Sequence, residues 1–181
     1  MIVIGYQGIG KSTLASRDIC YIDLESNNFF VDGKRADDWY KPYCKIAEHL
    51  SQQGYVVFTS SHEVVRNQLK NSNETVVVVY PGLELKDKWI EKLWMRYSKS
   101  RSEKDYKAYA NAVAMYEHNI RELAASDIRH KIVLSDVDYD LDDELYKFER
   151  TIEKEKRLQA FVEDMNNEGM TDRHSEEKND E

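Results

Sequence analysis

Ile2-Val3-Ile4-Gly5-Tyr6-Gln7-Gly8-Ile9-Gly10-Lys11-Ser12-Thr13 opens the chain and decides how the rest is read. An apolar run ends in Gly5, and after four intervening residues come Gly10, Lys11 and two hydroxyls. This is the spacing of a phosphate-binding loop, with a strand before it and a helix former after it. Each position has a physical task. Gly5, Gly8 and Gly10 let successive backbone N–H groups turn onto one anion, where side chains would intrude. Lys11 reaches the β/γ-phosphates as a point charge, and the Ser12 hydroxyl is placed to ligate Mg²⁺. The helix that starts here adds its positive end. The stretch predicts a nucleoside triphosphate site with Mg²⁺, built from Gly5, Gly8, Ile9, Gly10, Lys11, Ser12 and Thr13.

Outward from this loop, strand and helix alternate. A short helix is expected to about Arg17, and Tyr21 to Leu24 reads as a second strand. Asn27 to Asp37 has no clear period and reads as a loop. Asp37 or Asp38 can cap a helix whose Trp39, Tyr43, Ile46, Ala47 and Leu50 keep helical spacing, with Gly54 at its end. Tyr55 to Thr59 and Thr75 to Tyr80, the latter with four consecutive valines, read as buried strands around a helix from Ser61 to about Lys70. Leu85 to Tyr97 is helical. Ser98 to Asp105 is polar throughout. Tyr106, Tyr109, Val113, Tyr116, Ile120 and Leu123 then form a three–four stripe expected to face the core. Ile132 to Leu134 is a fifth strand, and Asp142 or Asp143 opens a last helix to about Met165. The fold class is α/β, a three-layer fold with a five-stranded, mainly parallel sheet flanked by helices and a helical lid-like segment at about 96–106. Ligands then sit beyond the carboxyl ends of the strands.

The 181 residues suit one domain, expected over 1–162. Of the formal charge of −8, residues 163–181 hold −6, from eight acids and two bases. That acidic stretch lacks aromatics and is expected to be a disordered tail. A nearly neutral body has no basic excess to recruit bulk nucleic acid. Cys20 and Cys44 fit no zinc or redox spacing, and no apolar run is long enough for a bilayer. With a core strand where a leader would lie, a cytoplasmic protein without a membrane partner is expected, as a monomer or homodimer.

Several residues at the strand ends can carry chemistry. Asp23 and Glu25 end the second strand. A carboxylate there can hold Mg²⁺ or accept a proton from a substrate hydroxyl, and Ser26 can donate to a substrate phosphate. The third strand runs into Ser60-Ser61-His62 without the acid that often serves the metal there. His62 and Arg66, one helical turn apart, are candidate substrate contacts. Lys34 and Arg35 can meet an anionic substrate, with Phe29 and Phe30 stacking on a base or packing in the core. Arg96 and Arg101 bracket the polar segment, which by closing would bring charge to a moving phosphoryl group and exclude water. Asp136, Asp138 and Asp140 read as capping and solvated. The catalytic set is therefore Lys11, Asp23, Arg96 and Arg101. The substrate set is Asp23, Glu25, Ser26, Arg35, His62 and Arg66, and the metal set is Ser12 and Asp23.

The glycine loop, together with Ile22-Asp23-Leu24-Glu25-Ser26, Val57-Phe58-Thr59-Ser60-Ser61-His62 and Leu83-Glu84-Leu85-Lys86-Asp87-Lys88-Trp89-Ile90, resembles the P-loop nucleoside and nucleotide kinases. The likeness is to the adenylate-kinase-like group and to phage-type deoxynucleoside monophosphate kinases, over roughly residues 1–150. The resemblance implies the P-loop NTPase fold and phosphoryl transfer from ATP to a nucleoside monophosphate. It implies Mg²⁺ near Ser12, a second phosphate-bearing substrate near Asp23, Arg35 and Arg66, and Arg96 and Arg101 in the lid. No Asp-Gly-Phe-Pro-Arg run follows the third strand. Two other readings stand beside this one: a kinase of a hydroxyl-bearing metabolite or polynucleotide end, with Asp23 as base, and a nucleotide-binding regulatory module without catalysis.

Overall fold

The computed structural model describes the backbone of residues 1–31 and 34–176, with side chains except at 30, 31 and 166–176. The chain forms two compact units, Met1–Leu141 and Asp142–Glu181. In chain order the first unit contains β1 (Ile2–Gly5), α1 (Lys11–Ala15), β2 (Tyr21–Asp23), the short pair β3 (Phe30–Val31) and β4 (Lys34–Arg35), and α2 (Tyr40–Gln52). There follow β5 (Val56–Thr59), α3 (Glu63–Leu69), β6 (Val76–Pro81), α4 (Lys86–Ser100), α5 (Glu103–Ala125) and β7 (His130–Leu134).

The five longer strands make one sheet in the order β2-β5-β1-β6-β7, parallel throughout. The central strands are apolar and covered. Every residue of β1 and β6 is buried, which requires cover on both faces and suits parallel strands joined by helices. The edge strands β2 and β7 are less covered, and along β7 covered and exposed positions alternate. Ile4 lies level with Thr59 and Gly5 with Val79. The loops after β1, β5 and β6 therefore leave from one edge of the sheet.

Four expectations for the first unit are corrected. The Asn27–Asp37 stretch is not all loop: it holds a 3-10 turn at Ser26–Phe29 and the antiparallel β3–β4 pair. Neither Asp37 nor Asp38 caps α2. Trp39 is its N-cap without a side-chain bond, and a backbone turn, Trp39 N–H to Ala36 O, leads into the helix. The polar stretch Ser98–Asp105 is not an open segment. Helix α4 continues to Ser100, and Ser102 caps α5 by accepting from the Asp105 N–H. Only Arg101 and Ser102 separate the two helices. Finally, the buried line of α5 is Ala108, Ala112, Tyr116, Ile120 and Leu123, while Tyr106 and Val113 are half exposed. The alanines face inward because the glycine loop lies close there: Gln7 donates to the Ala108 carbonyl.

The second unit is the greater part of α6 (Leu141–Glu176). Asp142, Asp143 and Glu144 occupy its first turn, where the helix dipole favours acids. The helix was expected to end near Met165 and continues to Glu176, so residues 162 and 163, where the sequence marks a change to a tail, fall within it. Residues 177–181 of that tail lie outside the described residues. Among the described residues no helix is long and apolar enough to cross a membrane.

Candidate functional site

The strand ends of the first unit open into a cavity of about 620 Å³. Its floor is the glycine loop. Gly8 and Gly10 have φ of 86° and 102°, the left-handed region where glycine carries no penalty. Four of the loop carbonyls accept side-chain hydrogen bonds. Lys11 Nζ donates to Gly5 O at 2.8 Å and to Tyr6 O at 3.3 Å. Trp89 Nε1 donates to Gln7 O at 3.1 Å, and the Tyr139 hydroxyl donates to Ile9 O at 2.8 Å. Loss of water around Lys11 pushes its pKa down to about 8, against the pull of Asp23 and Glu25 and with the help of Lys104 and Arg96. A turn of backbone N–H groups beside a desolvated ammonium is chemically suited to a highly charged anion.

Ser12, in the first turn of α1, donates to Asp23 Oδ2 at 2.5 Å. This brings the two expected metal residues together at the cavity. A hydroxyl and a carboxylate are hard oxygen donors of the kind Mg²⁺ takes with waters and phosphate oxygens. Among the described residues no group of three or more His, Cys, Asp or Glu is placed to hold a metal. The donor set thus fits a cation that also takes oxygens from a ligand.

A second cluster lies beyond Asp23 and β5. Arg35 donates to Ser26 Oγ at 2.9 Å and to Asn27 Oδ1 at 3.2 Å, and lies 3.4 Å from His62 Nε2. Its guanidinium stacks over Trp39, 4.4 Å from the ring centroid. Arg66 is buried, donates to Ser61 O at 2.5 Å and pairs with Glu122 at 3.6 Å. Burial, then Arg35 and Arg66, hold His62 below the ordinary histidine pKa, which favours the neutral ring. The loops carrying this cluster are tied by Tyr43, whose hydroxyl donates to Leu24 O at 2.7 Å and accepts from Ser60 N–H at 2.8 Å. Phe29 packs edge-on against Tyr43 at 5.3 Å, so it belongs to this packing; the Phe30 side chain lies outside the described residues.

The α4–α5 hairpin supplies the remaining wall. Arg96 pairs with Asp105 at 2.7 Å. Burial raises the pKa of Asp105, but Ser100, Arg96 and Ser102 outweigh it and hold the carboxyl below its ordinary value. Lys104 is paired with Glu25.

Of the expected residues, Gly8 to Thr13, Asp23, Glu25, Ser26, Arg35, His62, Arg66 and Arg96 line the one cavity. Gly5 ends β1 beneath it. Arg101 is not brought there: it sits in the turn after α4, with its guanidinium 5.7 Å from the Tyr97 ring centroid. Asp136 also lies apart, exposed, accepting from Val137 N–H and paired with Lys88. Sequence reading missed Lys104, Lys107 and Asn111. Their helical spacing beside Ala108 carries the signal, but it emerges only once the alanines are taken as the inward face. No protein-family model matches the chain, and a search of curated proteins finds no significant match.

Proposed function

We propose that the chain is a P-loop phosphotransferase that moves the terminal phosphoryl group of ATP to a nucleoside monophosphate. One observation carries this reading. A single cavity runs from the glycine loop and Lys11, past Ser12 and Asp23, to Arg35, His62 and Arg66, with Arg96 on its wall. Two basic regions in one enclosure suit two phosphate-bearing ligands. The likeness of the glycine loop and strand-end motifs to nucleotide kinases supports the same reading.

In this mechanism the loop N–H groups and Lys11 bind the donor phosphates. Ser12 and Asp23 hold Mg²⁺, which when bound neutralises charge on the phosphate oxygens. Arg35 and Arg66 bind the acceptor phosphate, and Ser26 orients Arg35. Arg96 faces the charge that develops between the two. An acceptor phosphate oxygen is already anionic, so little base catalysis is needed and positioning supplies most of the rate. Asp23 is engaged with Ser12, which favours the metal role over a base for a hydroxyl acceptor. The free thiols Cys20 and Cys44 are in keeping with a cytoplasmic setting.

The test is ADP release from Mg-ATP across a panel of ribo- and deoxyribonucleoside monophosphates, with Lys11→Ala as control. Turnover with one or a few acceptors, lost in the variant, is expected. ATP binding without turnover on any of them would sink the proposal and turn attention to hydroxyl acceptors or a regulatory role.

A further inference from the structure

We propose that Trp89 and Tyr139 are positioning residues that aim the N–H groups of the glycine loop, by holding the carbonyls on the opposite sides of the same peptide planes. The inference rests on the phosphate-binding reading of that loop. In a trans peptide the C=O of one residue and the N–H of the next point in opposite directions. Among the described residues every peptide bond is trans. Trp89 Nε1 holds Gln7 O at 3.1 Å, so the Gly8 N–H faces away from α4. Tyr139 Oη holds Ile9 O at 2.8 Å and sets the Gly10 N–H in the same way.

The two donors are themselves fixed. Their rings stack, with centroids 6.2 Å apart and planes 5° from parallel. The Lys92 ammonium lies 4.6 Å from each centroid and donates to Val137 O at 3.2 Å. Trp89 is fully buried. Helix α4 also presses on the loop directly: a Cβ on Gly8 would stand 2.8 Å from Leu93 Cδ2 and 3.3 Å from Trp89 Nε1. The loop is therefore arranged before any ligand arrives, which removes a reorganisation cost from anion binding. Trp89, Leu93 and Arg96 follow at helical spacing along one side of α4. The helix that aims the loop thus also carries the arginine facing the cavity, and the hairpin is anchored to the loop at this point.

Tyr139→Phe removes the hydroxyl and leaves the ring stack. Trp89→Phe removes the indole N–H. Binding of inorganic tripolyphosphate and of ATP is measured by calorimetry for the wild type, both variants and Lys11→Ala, with the acceptor KM measured at saturating ATP. Tyr139→Phe is expected to weaken tripolyphosphate and ATP by about three- to tenfold, with the acceptor KM unchanged. Trp89→Phe is expected to do the same; if it does not fold, Tyr139→Phe decides alone. Wild-type affinity in Tyr139→Phe, or an equal rise in donor Kd and acceptor KM, overturns the proposal. If the wild type binds neither probe, or Lys11→Ala binds both as well, the phosphate-binding reading fails and takes this proposal with it.

Discussion

Ser12 Oγ lies 2.5 Å from Asp23 Oδ2, joining the first turn of α1 to the end of β2. The β5 strand lacks a terminal acid, and β2 supplies one at the neighbouring edge of the cavity. If Asp23 serves the metal through Ser12, Asp23→Asn lowers Mg²⁺ affinity by about 10- to 100-fold, and excess Mg²⁺ restores much of the turnover. If Asp23 were a base, added Mg²⁺ would restore nothing. A Mg²⁺ titration of turnover in the variant separates the two.

The sheet and the glycine loop were legible in the sequence because each rests on a local signal. Four successive valines mark a covered strand, and Gly5 to Thr13 carries its own spacing. What was illegible depended on neighbours. Tyr106 and Val113 fit a helical stripe as well as Ala108 and Ala112 do. Only the approach of Gln7 to the Ala108 carbonyl shows why the alanines turn inward. The same holds for Lys104, whose partner Glu25 is 79 residues away in the chain. The polar run Ser98–Asp105 has no apolar period to mark where one helix stops and the next starts; the Ser102 cap on Asp105 N–H sets that boundary.

Arg96 and Arg101 are five residues apart, yet only Arg96 lines the cavity. Removing a group that meets transition-state charge costs about 10²- to 10³-fold in kcat, and that loss is expected for Arg96→Ala. Arg101→Ala should leave turnover close to wild type. Arg101 also has φ of 52°, where a side chain costs about 1 kcal/mol. Arg101→Gly should therefore raise stability in urea titration without loss of activity. A large kinetic defect in either Arg101 variant would place that residue at the chemistry after all.

Tyr43 joins two strand-end loops through one hydroxyl, between Leu24 O and Ser60 N–H. Burial pushes its pKa up to about 12, so it stays protonated and able to donate across the working range. Tyr43→Phe keeps the ring contacts and strands two backbone groups, a loss of about 1–3 kcal/mol of stability. Since these loops carry Ser26 and His62, the acceptor KM should rise while ATP affinity holds. Denaturant unfolding and two-substrate kinetics check both halves.

Lys11 titrates near pH 8 in the folded chain, below the ordinary lysine value of 10.5, chiefly through desolvation. Folding therefore disfavours its charged form. That destabilising effect is fully present below pH 8 and fades as pH rises toward 10.5, where the unfolded chain binds the extra proton. Lys11→Met should melt higher than the wild type at pH 7, with the gap closing between pH 8 and 10.5. An anion on the loop reverses the preference by favouring the charged ammonium, so binding takes up a proton once the free lysine has lost its own. Relative to Lys11→Met, which registers the ionisation of the ligand itself, tripolyphosphate affinity should begin to fall as pH approaches 8 and then drop by up to about tenfold per pH unit. Calorimetry at pH 9 in buffers of different ionisation enthalpy should register proton uptake in the wild type and none from this site in Lys11→Met. A flat affinity relative to Lys11→Met across pH 7 to 10 would mean that Lys11 does not face the anion.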